Sequence, residues 1–492
     1  MIKRILGTET EFGIASRQTE SQDPVSMSLL LINQYPSLPS NTVLWDYENE
    51  NPLLDARGFE VEGERERPGP DYNRMLNKVL ANGGRLYVDG AHPEYSTPEC
   101  TNARDVVLFE KAGDRILEQC CELASRIKGQ DAVVAYRNNT DGKGNSYGYH
   151  ENYLVDRAVS FETLMRGIIP FFVTRQIYAG SGKVGAENRM PAADYQISQR
   201  ADFFETLVDL NTMVKRPIIN TRDEPHADAA KYRRFHVIVG DANMAEHSTY
   251  LKVGVTAIVL TMIEEGADLP DLELEDPVRA IKEVSRDLTM KEALRLSDGR
   301  KRTAVEIQRQ YLEAAERFYE QREADPATRD VLTRWSGVLN RLESDPLQLS
   351  RELDWVIKLE LIRSYMEKKQ CGWKDPRIAM MDLQYHDVRR KKSLYSSLEQ
   401  GQYVERLVSE QEILQAEHTP PTDTRAYFRG TCVKKFPKEV YAASWSSVLF
   451  DVGNSTIKRV PLMDPLRGTK GLTGPLLDSA QSVEEILSRL SM

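Results

Sequence analysis

The segment that most constrains the fold is a short charged strand, RLYVD, which begins at Arg85 after two consecutive glycines. Side chains alternate across a strand, so Leu86 and Val88 are expected on one face. Arg85, Tyr87 and Asp89 are then expected together on the other face. A cation, a phenol and a carboxylate in one row are costly to bury unless each has a partner. The row is either a solvated strand edge with an ion pair or part of a functional site.

A second strand with the same property is predicted near the N-terminus, over residues 2–13 (IKRILGTETEFG). Alternation puts Glu9 and Glu11 on one face, where their carboxylates repel each other unless a cation lies between them. A divalent ion such as Mg²⁺, which prefers oxygen ligands, would remove that repulsion. On this motif alone the alternative stays open that both carboxylates simply face solvent.

Later segments add imidazoles and arginines. His150 and Glu151 follow a turn-rich glycine loop, an arrangement that suits a metal or phosphate site. Two predicted strands carry Arg222, Arg234 and His236. Glutamates that hold a metal, together with arginines that fork onto phosphate oxygens, are what a site for Mg²⁺ and a polyphosphate requires. A surface network of arginine and aspartate is the alternative.

Length and composition limit the class of protein. A chain of 492 residues exceeds the usual size of a single core, so two or more domains are expected. The hydrophobic fraction of 40% is typical of a soluble globular protein, and the net charge of -10 argues against binding nucleic acid or an anionic membrane. Five scattered cysteines without metal-binding spacing indicate free thiols in a reducing compartment. No apolar run has the length of a signal peptide or membrane span, which predicts a cytoplasmic protein.

Hydrophobic periodicity gives the organisation of the remaining chain. An apolar stretch at 171–178 is predicted to extend the sheet. Helices are predicted at 105–128, 248–262, 277–287, 303–322, 327–342 and 349–369. Consecutive prolines at 420 and 421 mark the predicted boundary between a catalytic domain (1–420) and a small C-terminal domain (421–492). Residues 37–80 lack regular pattern and are expected to form a mobile insertion that ends in a short helix and contributes nothing to a core.

Four motifs together resemble those of the Pup ligase/depupylase family, whose members are similar in fold to glutamine synthetase and other carboxylate–amine ligases. The motifs are GTETEFG from residue 7, RLYVD with HPEY between residues 85 and 95, HENY from residue 150 and NTRDEPHAD from residue 220. The resemblance covers essentially the whole chain. It implies an α+β, glutamine synthetase-like large domain with a curved antiparallel sheet packed against helices, plus a small C-terminal domain.

The resemblance also implies roles for individual residues. The implied ligands of Mg²⁺ are Glu9, Glu11, Tyr87, Glu94, His150 and His236. The residues expected around ATP are Arg85, Thr97, Arg200, Arg222, Arg425 and Trp445. For Trp445, a place in the core of a small domain is an equally good interpretation. Asp89 is the implied catalytic aspartate, either as the nucleophile on an amide carbonyl or as the base that activates water.

The family contains two enzymes. An ATP-consuming ligase joins the small protein Pup to substrate lysines, whereas a deamidase/depupylase converts the C-terminal Gln of Pup to Glu and cleaves the Pup–lysine bond. Three features favour the second: the insertion with the sequence WDYENENPL, a short DGAH turn after Val88, and the segment TRAYFRG from residue 424. The expected partners are therefore Pup and pupylated proteins, with ATP and Mg²⁺ as cofactors. The ligase is the alternative, and a catalytically silent binding module is disfavoured because Asp89 and the glutamates are present.

Overall fold

The structure is a computed structural model that describes residues 4–16, 23–35, 43–63, 67–129 and 132–490. Its strands are β1 (Leu6–Glu11), β2 (Gly13–Ala15), β3 (Leu44–Trp45), β4 (Leu54–Asp55), β5 (Phe59–Glu60), β6 (Asn77–Val79), β7 (Arg85–Asp89), β8 (His92–Ser96), β9 (Val134–Tyr136), β10 (Tyr149–Asp156), β11 (Lys183–Val184), β12 (Tyr195–Gln196), β13 (Phe204–Asp209), β14 (Arg216–Asn220), β15 (Tyr232–Val237), β16 (Ala293–Arg295), β17 (Lys301–Thr303), β18 (Val440–Ala443), β19 (Ser447–Asp451) and β20 (Ile457–Pro461).

The helices are α1 (Pro24–Ile32), α2 (Pro70–Leu76), α3 (Ala103–Lys128), α4 (Phe161–Thr174), α5 (Gln176–Ala179), α6 (Glu246–Glu264), α7 (Pro277–Arg286), α8 (Ala304–Glu320), α9 (Pro326–Ser344), α10 (Asp354–Lys369), α11 (Pro376–Tyr385), α12 (Leu394–Gln400), α13 (Glu410–Ala416), α14 (Ala426–Lys435), α15 (Lys470–Ser479) and α16 (Val483–Leu490). Helices alternate with mostly antiparallel sheets, so the expected α+β class is confirmed. In the part of the chain that the structure describes, no helix combines the length and apolarity needed to cross a bilayer.

A six-stranded antiparallel sheet in the order β15-β10-β1-β8-β7-β6 contains both charged strands. In β1 the buried positions Leu6, Thr8 and Thr10 alternate with the more accessible Gly7, Glu9 and Glu11, as the period-two pattern predicted. The buried face packs against α1 and α3 through an apolar cluster. The opposite, polar face is therefore the one available for a site.

The apolar stretch at 171–178 is helical, so its assignment to the sheet was wrong. It forms the end of α4 and most of α5, and its apolar side chains are buried within the largest core cluster. A short apolar run does not distinguish a buried strand from a buried helix, because both are hydrophobic on all sides. The long amphipathic helices predicted elsewhere are confirmed, with ends shifted by a few residues, and the last begins at Asp354 rather than Leu349.

Part of the predicted insertion belongs to a core, so the expectation that it contributes nothing is wrong. Strand β3 pairs in parallel with β18 and completes a four-stranded sheet in the order β20-β19-β18-β3. Val43, Trp45 and Val79 are buried in the same apolar cluster as Phe428 and Val440. The helix expected at its end is α2, which ends at Leu76, and β6 begins at the next residue. Residues 37–42 and 64–66 of the predicted insertion lie outside the described residues.

A buried ion pair joins the C-terminal part to the segment that follows β8 of the large sheet. Arg425 Nε donates to Glu99 Oε1 at 2.7 Å, and Arg429 also forms a salt bridge with Glu99. Burial alone would raise the pKa of Glu99, but the charges of Arg429 and Arg425 outweigh burial and lower that pKa to about 2. Arg429 also donates to the carbonyl of Gly83 at 2.7 Å. The sequence boundary at 420 stays a prediction, yet contacts across it are ionic as well as apolar.

Helix α14 approaches the turn before β7 so closely that glycine is required. A Cβ atom at Gly430 would lie 2.5 Å from the carbonyl oxygen of Ala81 and 2.8 Å from the amide nitrogen of Gly83. Both neighbours are backbone atoms, which cannot turn away as a side chain does. The two glycines at 83 and 84 therefore do more than end an element, because the turn they form is the surface on which α14 rests.

We expect Gly430→Ala to lower the free energy of unfolding by about 1–3 kcal/mol, since the added methyl overpacks this contact. The matched control is Gly337→Ala in α9, where an added Cβ has no atom within 4 Å. That change should raise stability by about 0.5–1 kcal/mol, because alanine favours a helix over glycine. Urea unfolding of both variants measures the difference. Equal stabilisation by both changes would contradict the proposed contact.

Candidate active site

The register of the sheet brings three predicted residues into one row. Tyr87 on β7 lies directly opposite Glu94 on β8, and Glu94 lies directly opposite Glu11 on β1. Directly opposite residues of antiparallel strands share a face, and like charges in that position destabilise the sheet. Tyr87 Oη donates a hydrogen bond to Glu94 Oε1, which leaves the repulsion between the two carboxylates uncompensated. This row is a place where a cation would stabilise the fold.

A neighbouring row continues across β1, β10 and β15. Glu9 lies opposite His150, and Asn152 lies opposite His236. Glu9 accepts a hydrogen bond from Asn152 Nδ2 at 3.0 Å, and His150 Nδ1 lies 3.1 Å from its other oxygen. Arg234 Nη1 approaches Glu9 at 3.5 Å. The Glu9 carboxylate thus has three nitrogen neighbours, whereas Glu11 accepts a hydrogen bond from the Gly148 amide and Glu94 accepts one from Tyr87.

Two groups of side chains offer sets of metal ligands. Glu9, His150 and His236 place one ligand atom each within 4.8 Å of one another, and so do Glu11, Asp89 and Glu94. Each group contains a buried atom that has no hydrogen-bond partner among the described residues, His236 Nε2 in the first and Glu94 Oε2 in the second. Buried polar atoms are normally satisfied, so an unpartnered one calls for a ligand.

Burial and neighbouring charges shift the pKa values in opposite directions within the site. Burial, with the charges of Asp89, Glu9 and Glu11, raises the pKa of Glu94 well above its usual value. Burial opposes ionisation of Glu9 as well, but its hydrogen bond to His150 and the nearby positive charge lower its pKa well below the usual value. Burial and the charge of Glu94 raise the pKa of Tyr87 well above its ordinary value, so this phenol stays protonated.

Asp89 lies at the open end of β7, where a two-residue turn leads into β8. Gly90, the first residue of that turn, has a φ of +55°, a conformation that glycine adopts without strain. The Asp89 side chain keeps exposed surface, yet its neighbours displace enough water, and Glu11 is near enough, to raise its pKa. The positive charge of Arg222 opposes this shift. Arg222 Nε is buried and has no hydrogen-bond partner within the described residues.

An open pocket adjoins Glu9, and Glu11 is not among its lining residues. It holds about 550 Å³ of empty space, and Thr97, Arg425 and Trp445 are among its lining residues. The ring of Trp445 contacts Trp45 edge to face, with centroids 5.3 Å apart. Trp445 therefore packs against the C-terminal core and lines the pocket at once.

Three of the arginines expected around ATP are held by protein groups. The Arg85 guanidinium lies 3.9 Å from the ring centroids of both Trp45 and Tyr87, and Nε donates to Asn77 Oδ1 at 3.0 Å. Arg425 pairs with Glu99. Arg200 is almost fully buried and donates to backbone carbonyls.

Sequence reasoning missed Asn152, Gly148 and Arg216 and misplaced Glu151. Glu151 faces the opposite side of the sheet, where Arg175 binds both of its oxygens at 2.6 and 2.8 Å. Strict alternation along β10 would have separated Glu151 from His150 and added Asn152 to the site. No pattern identifies Gly148, because only the folded structure shows that a Cβ there would lie 2.4 Å from His150 Nε2.

Comparison with known proteins places these motifs in a family. A protein-family model described as "Pup-ligase protein" matches residues 4–449. The chain belongs to the Pup ligase family. This membership confirms the resemblance inferred from the four motifs.

Relatives with curated names include both enzymes of the Pup ligase family. A "Depupylase" of Acidothermus cellulolyticus is 49% identical, with 99% of each chain covered. A "Pup deamidase/depupylase" of Mycolicibacterium smegmatis is 46% identical over the whole of both chains. A "Pup--protein ligase" of Kineococcus radiotolerans is 43% identical and covers 83% of this chain and 91% of its own.

Two solved structures share the fold. The complex of Pup with its ligase PafA has a TM-score of 0.81 and 34% identity, and the match covers 99% of this chain and 94% of that one. The Pup ligase PafA in complex with ADP has a TM-score of 0.75 and 37% identity, and the match covers 85% of this chain and 96% of that one. These likenesses confirm the fold that the resemblance implied.

We expect Gly148→Ala to weaken binding of a divalent ion at least about tenfold, because the new Cβ would displace His150 and Glu11 from their positions. The rise in melting temperature with increasing Mg²⁺ or Mn²⁺ measures the affinity. Gly7→Ala on β1 is the control, since its Cβ would meet Thr97 Oγ1 at an ordinary 3.6 Å. Unchanged ion affinity in Gly148→Ala would argue against metal binding by these two groups.

Proposed function

We propose that this chain is a Pup deamidase/depupylase, which hydrolyses the amide of a C-terminal Gln of Pup and the isopeptide bond between Pup and substrate lysines. The observation that carries the reaction class is the position of Asp89, which meets Glu11 and Glu94 at the open end of the polar face. Two proteins with depupylase names are 49% and 46% identical to this chain over its full length, against 43% for the named ligase, which favours the hydrolase.

Mg²⁺ fits the facing pair Glu11 and Glu94 best. Their carboxylate oxygens are the ligands that Mg²⁺ prefers, and a cation between them removes their repulsion, while the neighbouring Asp89 stays free to act on the substrate. The group of Glu9, His150 and His236 includes two imidazoles, a set less typical of Mg²⁺. We assign it as a second metal position because His236 Nε2 is buried and unpartnered among the described residues.

Tyr87 is better suited to orient a ligand than to be one. Its hydroxyl donates to Glu94 Oε1, and its raised pKa keeps the proton on the phenol. The hydrogen bond leaves Glu94 Oε2 as the free oxygen. In this proposal Tyr87 moves from the expected metal ligands to the residues that fix Glu94.

The pocket beside Glu9 is the proposed nucleotide site. A solved relative in the family is in complex with ADP, which supports nucleotide binding by this fold. Thr97 and Trp445 line the pocket, so we propose that they contact the nucleoside of ATP. Arg425 would shape the pocket through its pairing with Glu99, and Arg222 would contact the phosphates, because its Nε has no partner in the described part of the chain.

The chain's own residues then define the reaction. Asp89 either attacks the amide carbon, expelling ammonia or the lysine amine before water cleaves the resulting anhydride, or removes a proton from a water that attacks in its place. Bound Mg²⁺–ATP would supply positive charge beside the carbonyl oxygen, where negative charge develops. Five free thiols favour a reducing compartment, so the proposal places the protein in the cytoplasm.

We expect Asp89→Asn to lower the rate of Pup deamidation at least about 100-fold, because an amide is neither a base nor an effective nucleophile. Nucleotide affinity should change little, since Asp89 does not line the nucleotide pocket. Both quantities are measured on one preparation, by mass spectrometry of Pup ending in Gln and by the melting-temperature shift with Mg²⁺–ATP. Asp298→Asn, at an exposed turn, is the control. Activity within tenfold of the parent would exclude Asp89 as the catalytic group.

The ratio of nucleotide hydrolysed to bonds cleaved separates hydrolase from ligase. Amide hydrolysis is downhill in water, whereas a ligase must spend one nucleotide for each bond that it forms. We therefore expect that ATP is required but that many Pup–protein bonds are cleaved per ADP released. Counting both products over many turnovers tests this. One ADP released for each bond cleaved would contradict the role of ATP as a cofactor that is not consumed. An increase in the amount of Pup–protein conjugate would identify a ligase.

A further inference from the structure

Two arginines that no part of the proposed mechanism uses lie beside Glu11. Arg200 is only 1% exposed, and its Nη1 donates to the carbonyls of Ile238 and Gly240. Arg216, the first residue of β14, donates through Nη2 to the carbonyl of Ser146 at 2.5 Å. Arg200 Nε also reaches Ser146, at 3.4 Å from its hydroxyl. The two guanidinium groups therefore meet at one residue.

Neither the buried Arg200 nor the partly exposed Arg216 forms a salt bridge with a carboxylate among the described residues, although buried arginines elsewhere do. Arg175 pairs with Glu151, and Arg137 with both Glu110 and Asp114. A buried charge is costly unless it is paired, and two adjacent like charges add repulsion. Burial and the charge of Arg216 lower the pKa of Arg200 to about 10. The pair is therefore an arrangement that an anionic ligand would stabilise.

The position of this pair favours the substrate over the nucleotide as the source of the anion. Both arginines contact Ser146, two residues before Gly148, whose amide donates to Glu11 Oε2 at 2.6 Å. The charge of Glu11 acts on both arginines, and Glu11 belongs to the group that contains Asp89. The nucleotide pocket instead adjoins Glu9, and neither arginine lines it. An anion bound by the pair would thus lie next to the amide under attack, beyond the nucleotide.

We propose that Arg200 and Arg216 bind the α-carboxylate of the C-terminal residue of Pup, and that Arg216 sets a preference for a free C-terminus. This inference rests on the proposed function, and it removes Arg200 from the residues expected around ATP. A planar guanidinium matches a carboxylate with two parallel hydrogen bonds.

The chemistry of the substrate fits such a site. In a terminal Gln or a lysine-linked terminal Glu, the side-chain carbonyl carbon and the α-carboxylate carbon are joined by four C–C bonds, which span about 5 Å. A site that holds the α-carboxylate therefore fixes the side-chain carbonyl next to Asp89. An ordinary main-chain peptide bond has no α-carboxylate at this distance, so the same contact excludes it.

The experiment compares two forms of Pup ending in Gln, one with a free α-carboxylate and one with an α-carboxamide. Rates of side-chain deamidation and binding affinities are measured for the parent, Arg216→Met, Arg216→Lys and the surface control Arg279→Met, which changes an arginine that is 76% exposed. Affinity for Mg²⁺–ATP and the melting temperature are measured for each variant. The affinities for the two forms of Pup test the carboxylate site even if the protein does not deamidate Pup.

The parent and Arg279→Met should prefer the free acid by about 10- to 100-fold, the usual effect of a hydrogen bond to a charged group. Arg216→Met should act on the free acid about 10- to 100-fold less well than the parent and on the carboxamide as well as before. The ratio between the two substrates should therefore fall to within about threefold. Arg216→Lys should keep part of it, and nucleotide affinity should stay within about twofold of the parent in all variants.

Three results would overturn the inference: an unchanged preference in Arg216→Met, an equal loss on both substrates, or weakened Mg²⁺–ATP binding, which would assign the pair to a phosphate group. A parent protein that binds the free acid preferentially without deamidating it would instead overturn the proposed function and support the carboxylate site.

Discussion

The antiparallel register that sets Glu11 directly opposite Glu94 is the constraint on which the site depends. Two facing carboxylates on one side of a sheet destabilise it, and no salt bridge within the described residues pairs either of them, although the charges of Arg200 and Arg216 act on Glu11 from farther away. The other face of the same strands is committed to the core against α1 and α3, so the register cannot slip by one residue without burying both glutamates. The packing of the core thus maintains an electrostatic arrangement that is unfavourable until a cation binds.

The proposed nucleotide pocket depends on a different contact, the one between the two sheets. Trp445 belongs to the C-terminal part and Glu9 to the large sheet, yet both line the same pocket. Glu99 fixes their relative position by pairing with Arg425 and Arg429, and the glycine contact under α14 leaves little freedom for sliding. A pocket between two parts of a chain requires such a rigid junction, because a shift of about 1 Å is enough to weaken catalysis.

The sequence predicted the polar face well and its surroundings less well. Period-two alternation correctly grouped Glu9 with Glu11 and Tyr87 with Asp89, because alternation is a local property of any strand. The pairing of Glu11 with Glu94 was beyond sequence reasoning, since register depends on which strands become neighbours. Residues 171–178 were misassigned because burial on all sides removes the periodic signal. The short strand at Leu44 was missed because two residues carry no period, and its partner is distant in the chain.

That distant pairing has a consequence for synthesis. Leu44 and Trp45 find their strand partners Ala442 and Ala443 roughly 400 residues later, and Trp45 in turn contacts Arg85. Chains fold from the N-terminus as they leave the ribosome, and contacts between remote segments form late. While the ribosome is still making the helical middle of the chain, Trp45 has no sheet to join. The proposed nucleotide pocket is therefore completed only when nearly the whole protein has emerged. A nascent chain that stalls before residue 440 leaves this aromatic segment without its docking surface.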